Sequence, residues 1–156
     1  MIKNELVKKE LFHQAQQVLD EDIYRIIEIS EHEEQGRCNI RIVIQSVSGN
    51  TSVDDCTKVH RLLFPRLEML RESRDVFLEV STPGIQRNIK DVQEFDAFIG
   101  RDLHVMLVGS SDWIDGALLE VSNTGILLKI SPEKHLSIAY NDINRARLVY
   151  NWRDKK

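Results

Sequence analysis

Apolar positions recur through the first 83 residues with two periods, one helical and one extended. Over residues 4–20, Val7, Leu11, Phe12, Ala15, Val18 and Leu19 fall at i, i+4, i+5, i+8, i+11 and i+12. That is one face of a 3.6-residue repeat, and it predicts a helix covering a sheet. Residues 23–29 are then β-branched and aromatic, and residues 38–44 place Cys38, Ile40, Ile42 and Ile44 on one face. The polar stretch 31–36 between them predicts the tip of an antiparallel hairpin. Ser48, Gly49 and Asn50 close the second strand, and Ser52 stands where a helix N-cap belongs, just before Asp54 and Asp55. Val53, Cys56, Val59, Leu63, Leu67 and Leu70 keep the spacing of a buried helical stripe. Pro65 lies inside it and predicts a kink or a break near Leu63 and Phe64. Residues 75–80 form a third strand, which completes an α-β-β-α-β unit whose second helix crosses over to the last strand.

The pattern changes after residues 78–89, Leu-Glu-Val-Ser-Thr-Pro-Gly-Ile-Gln-Arg-Asn-Ile. Pro83 fixes its own φ and holds Thr82 extended. Gly84 accepts φ > 0 without steric cost. Beyond a short helix or turn at 91–100, the chain is almost all strand: 103–108, 113–121, 126–130, 135–140 and 146–150. Gly116 inside the second of these predicts a bend or bulge. The link 141–144 suits a single 3₁₀ turn. The expected fold class is therefore α+β in two small domains. Residues 1–83 form an α-β-β-α-β sandwich, 84–90 a hinge, and 91–156 an SH3-like or Sm-like five-stranded β-barrel.

Composition narrows the class. The 156 residues are 42% hydrophobic and 29% charged, as in a soluble globular protein. No apolar run approaches the roughly 20 residues that span a bilayer. The opening residues lack the apolar core of a signal peptide, so a cytoplasmic protein with reduced Cys38 and Cys56 is expected. The net charge is −4 and lies wholly in residues 1–84, which carry 11 Lys and Arg against 15 Asp and Glu. A free nucleic-acid binder usually shows a basic footprint. An acidic first half points instead to a basic partner such as a ribosomal protein.

Nothing in the chain assembles a catalytic constellation. His13, His32, His60, His104 and His135 fall in no zinc spacing, and no glycine-rich phosphate loop or G-x-S-x-G is present. Glu31, Glu33 and Glu34 beside His32 read as a solvated hairpin tip rather than a metal site. Cys56 sits on the buried stripe and reads as a small core residue. Phe77, Trp113, Tyr140 and Tyr150 form no stripe and read as core or half-buried strand residues. No cofactor and no small-molecule substrate are expected. Arg61, Arg66, Arg71 and Arg74 make the second helix the most basic region of the first half, either as a solvated face or as a contact to RNA phosphate.

The segment Leu78–Arg87, the helix start Gly49–Cys56 and the ending Ile143-x-x-Ala146-Arg147-Leu148-Val149 resemble the ribosome maturation factor RimP family. Gln86 and Asn88 depart from it: the family usually has an acidic residue before the arginine and often a proline after it. The resemblance covers nearly the whole chain. It implies a non-enzymatic assembly factor that binds the immature small ribosomal subunit through ribosomal protein or rRNA. The protein is expected to act as a monomer, without a membrane. An Sm-like regulator acting on free RNA is the alternative. Candidate partner-binding residues are Ser81, Thr82, Gln86 and Arg87 around the Pro-Gly turn, with Arg61 and Arg66 on the second helix. Arg87 could equally tie the two domains together.

Overall fold

A computed structural model describes residues 2–72 and 75–149. The chain falls into two compact units, one holding Glu5–Pro83 and the other the described residues of 2–4 and 84–149. No helix among the described residues is long and apolar enough to cross a membrane.

The first unit follows the predicted order of elements. After a 3₁₀ turn at Leu6–Lys8 come α1 (Glu10–Val18), β1 (Tyr24–Glu34), β2 (Arg37–Ser46), α2 (Val53–Leu70) and β3 (Asp75–Ser81). The first helix is shorter than its apolar pattern, because Lys9 is extended at φ −83° and separates the 3₁₀ turn from α1. The sheet order is β1-β2-β3, with β1 antiparallel and β3 parallel to β2. A parallel neighbour needs a crossover, which α2 supplies. The helix-covered face carries Ile26, Ile29, Cys38, Ile40, Ile42, Ile44 and Leu78, packed with Leu11, Ala15, Val59, Leu63 and Leu67. Burial pushes the thiols of Cys38 and Cys56 above their ordinary values, as suits core positions.

Two local expectations change. The hairpin tip is not 31–36: β1 runs on to Glu34, paired with Arg37, and only Gln35 and Gly36 turn. Both have positive φ, 50° and 80°, the requirement of a two-residue hairpin turn whose twist matches its strands. Of the kink or break expected at Pro65, no break occurs: α2 is continuous from Val53 to Leu70. The proline side is exposed, so the helix carries it through without a lost partner in the core. Arg74 lies outside the described residues.

The start of α2 is held by a capping box. Ser52 Oγ accepts the Asp55 amide at 3.1 Å, and Asp55 Oδ2 accepts the Ser52 amide at 2.8 Å. The other carboxylate oxygen, Oδ1, accepts the Tyr24 hydroxyl at 2.7 Å. The Ser52 amide, and next the Tyr24 hydroxyl, hold the Asp55 carboxyl below its ordinary value. The same bond, with burial, pushes the Tyr24 hydroxyl up to about 12. One carboxylate thus joins the helix start to the first strand.

The second unit has a 3₁₀ segment at Val92–Phe98, then β4 (Asp102–Leu107), β5 (Trp113–Val121), β6 (Gly125–Ser131), β7 (Lys134–Ala139) and β8 (Ile143–Leu148). The strand order β7-β6-β5-β4-β8 is a four-strand meander whose first strand also takes the last, as in an SH3-like sheet. The barrel expected from the pattern is not closed. β7 and β8 are the two edges and do not pair with each other among the described residues. The chain leaves β7 through the 3₁₀ turn Tyr140–Asp142, as the polar link suggested, and crosses to the far edge instead of turning back. The last strand starts at Ile143 rather than Ala146; Tyr150 and the tail at 152–156 lie outside the described residues. The buried face carries Leu103, Val105, Leu118, Ile126, Leu128, Ile138, Ile143, Ala146 and Leu148. Gly116 is not at the bulge, which falls between Leu118 and Glu120. A Cβ there would meet Leu128 Cβ, Ile130 Cδ1 and Lys129 O at 3.1 Å each, so the glycine provides room.

Ser52→Ala is expected to lower stability by about 1 kcal/mol in urea denaturation. Asp55→Asn should also change the acid limb. A carboxyl with a depressed folded pKa contributes stability above its unfolded value and loses it as pH falls through the folded one. Acid unfolding should therefore be shallower in Asp55→Asn than in the parent, and identical acid limbs would show that Asp55 carries no linkage.

Candidate partner-binding surfaces

The proposed binding residues are divided between the units. Ser81 ends β3 and Thr82 follows it in the first; Gln86 and Arg87 belong to the second. Thr82 and Gln86 are exposed, as is Ile85. Ser81 is half-buried, and its Oγ is buried with no hydrogen-bond partner among the described residues. Gly84 has φ 81°, the left-handed conformation expected of it, with open space where a Cβ would point.

Arg87 is not on the surface. Its side chain is 7% exposed, and Nε donates to Glu94 Oε1 at 2.7 Å. Glu94, 1% exposed, comes from the 3₁₀ segment of the same unit. Its second oxygen accepts the amides of Lys90 and Asp91 at 2.9 and 3.1 Å. Asp91 and Glu94 form a reciprocal capping box, and Asp91 Oδ1 also accepts the Gln93 amide at 3.0 Å. Burial pushes the Glu94 carboxyl above its ordinary value, while Arg87 and the two amides pull it back. The backbone around Arg87 is equally fixed. Its carbonyl accepts the Leu148 amide at 2.9 Å, and the Ile89 amide donates to Ala146 at 2.8 Å. Arg87 therefore ties its own segment to its own unit, and the candidate acting as its partner, Glu94, carried no signal in the sequence beyond an acidic residue in a first turn.

Among the described residues, Arg61, Arg66 and the C-cap Arg71 separate by environment. Arg71 forks onto Glu31, Nε to Oε2 at 2.6 Å and Nη2 to Oε1 at 2.9 Å; Cys38 Sγ donates to the same carboxylate at 2.9 Å. Arg61 and Arg66 are exposed, and Leu62 and Met69 near them are exposed as well, at 52% and 68%. The solvent side of α2 is thus a mixed basic and apolar surface rather than a purely solvated one.

A further cluster escaped the sequence. Trp113 on β5 lies beside Arg145 and Arg147 of β8, whose guanidinium carbons are 5.7 and 5.1 Å from the ring centroid. The His104 ring on β4 is 5.8 Å away and is hydrogen-bonded to Asp115. Only the two-residue spacing of the arginines hinted that they share a face.

The chain matches the family model described as RimP N-terminal domain over residues 14–86. The protein named ribosome maturation factor RimP of Borrelia recurrentis (strain A1) is 34% identical over 123 residues, covering 79% of this chain and 82% of that one. The protein of the same name from Borrelia turicatae (strain 91E135) is 31% identical over 139 residues, covering 89% and 94%. That from Borreliella afzelii (strain PKo) is 34% identical over 125 residues, covering 80% and 83%.

Two outcomes test this geometry. Gly84→Val should lower the melting temperature through backbone strain alone, of order 1–3 kcal/mol, and Gly84→Asn should recover part of it. Arg87→Ala leaves a buried carboxylate without its cation and should cost about 3–5 kcal/mol. A carboxyl whose folded pKa lies above its unfolded value loses stability as pH rises through the folded value. The deficit of Arg87→Ala should therefore shrink on acidification, and adding Glu94→Gln should cost less than the two single changes summed. A deficit independent of pH, with additive costs, would remove the pair from this account.

Proposed function

Because the chain belongs to the ribosome maturation factor RimP family, we propose that it binds the immature small ribosomal subunit and assists its assembly without catalysing a reaction. The observation that carries this reading is likeness along most of the chain, through both units, to proteins named for ribosome maturation. The work is done by differential binding. A factor that binds one assembly state more tightly shifts the population toward it and leaves when that state is gone. A hundredfold preference needs only about 2.7 kcal/mol of extra interaction in the favoured state. The protein acts in the cytoplasm as a monomer.

The contacts we assign are Arg61 and Arg66 on α2, with Thr82 and Gln86 in the Pro-Gly segment; all four side chains are exposed. Arg87 anchors the segment just after Gln86 through its bond to Glu94. Residues 1–84 are acidic overall, so an approach to bare phosphate is repelled except along the arginine-bearing side of α2. The exposed Leu62 and Met69 give that side an apolar component suited to a ribosomal protein.

Sedimentation of the purified protein with precursor and mature small subunits tests the proposal. It should travel with the precursor and at least about tenfold more weakly with the mature particle, a difference of about 1.4 kcal/mol. Arg61→Glu with Arg66→Glu should weaken precursor binding by a similar factor at an unchanged melting temperature. Equal binding to both particles, or to neither, would overturn it.

A further inference from the structure

The outer face of the five-stranded sheet carries a second candidate site. Strand alternation and register bring its members together. Met106 of β4 is paired with Trp113 on one side and Arg145 on the other, and His104 with Asp115 and Arg147. Residues two apart on a strand share a face, so Trp113, Asp115, His104, Met106, Arg145 and Arg147 all point the same way. The opposite face holds Leu103, Val105, Ala146 and Leu148 and is buried. Lys129 extends the outer face onto β6, paired with Ala117.

Three features make this face more than a solvated one. Neither Arg145 nor Arg147 makes an ion pair among the described residues; each guanidinium lies instead by the indole. The nearby carboxylate of Asp115 is engaged by His104. Trp113 is only half-buried, and four planar groups, one indole, two guanidinium and one imidazole, are gathered within a few ångströms.

We propose that this face binds a short unpaired RNA segment, with a base stacked on Trp113 and neighbouring phosphates held by Arg145 and Arg147. Unpaired bases stack on aromatic rings and on guanidinium planes, and an adjacent cation accepts the phosphate. An acidic peptide would use the two cations but would leave the indole and the imidazole without a role. The charge is also right for a local site: beside Trp113 the two cations Arg145 and Arg147 meet one carboxylate, Asp115, while Asp102 stands farther along the face toward Lys129, and residues 85–156 are neutral as a whole. That the strand is RNA rests on the ribosomal reading above; the stacking site itself does not.

The test uses the full chain with Trp152→Phe, so that Trp113 is its only tryptophan. An unstructured oligoribonucleotide of about 12 nucleotides, within the span such surfaces cover, is titrated while indole fluorescence is read. Saturable quenching is expected. Arg145→Ala with Arg147→Ala should weaken binding at least tenfold and reduce the slope of log K against log salt by about 1.4, or 0.7 for each phosphate lost on a single strand. In the Trp152-containing parent, Trp113→Ala should weaken binding to a labelled oligonucleotide at least tenfold, and Trp113→Phe less so, since a smaller ring still stacks. Absence of quenching, equal binding by Trp113→Ala, or equally tight competition by oligoglutamate would overturn the site. Oligonucleotide binding that depends on Trp113 in a protein that ignores precursor subunits would leave this site standing and remove the ribosomal reading. Subunit binding without oligonucleotide binding would do the reverse.

Discussion

A guanidinium and a carboxylate that are both withdrawn from water set the terms for the second unit. Neither Arg87 nor Glu94 could be buried alone, because an unpaired charge in a low-dielectric interior is prohibitively costly. Their bond at 2.7 Å fixes the 3₁₀ segment against the strand-like stretch that follows the Pro-Gly turn. The remaining capacity of Glu94 is taken by two backbone amides, so the pair also closes the 3₁₀ N-terminus. Residues 87–89 are then laid against β8 by main-chain bonds.

The first unit solves the same problem by a different device. Asp55 is exposed enough to remain charged at little cost, and it links the N-cap Ser52 to Tyr24 on β1. Glu31 plays a parallel part at the other end of the helix, held by the fork of Arg71. Two carboxylates thus clamp both ends of α2 to β1, and the apolar stripe between them fills the core. With both ends fixed, the solvent side of α2 carries Arg61, Leu62, Arg66 and Met69 on a regular backbone.

The two candidate surfaces differ in chemistry as well as place. The side of α2 mixes cations with exposed aliphatic groups, which suits a folded protein partner. The outer face of the five-stranded sheet gathers planar groups with cations that make no ion pair among the described residues, which suits unpaired bases. The proposed assembly factor, acting on a particle of protein and RNA, would have use for one of each. Both are carried by regular elements rather than loops, so neither needs a conformational change to be presented.

Much of this was legible in the chain. The helical stripe from Val53 to Leu70, the alternation Cys38-Ile40-Ile42-Ile44, the Ser52 cap and the left-handed Gly84 depend on local backbone preference and on neighbours within a few residues, so sequence alone determined them. Length and spacing also determined the order of elements and the SH3-like arrangement of strands. Tertiary structure decided the rest. Whether β7 and β8 meet depends on sheet twist and on how the 3₁₀ turn crosses, which no local pattern encodes. Glu94 becomes the partner of Arg87 only when a 3₁₀ segment folds back over the strand. Trp113 reaches Arg145 and Arg147 only through the register of β4 between them. These juxtapositions arise from ladder register between distant strands, and a shift of one residue would turn every side chain to the other face.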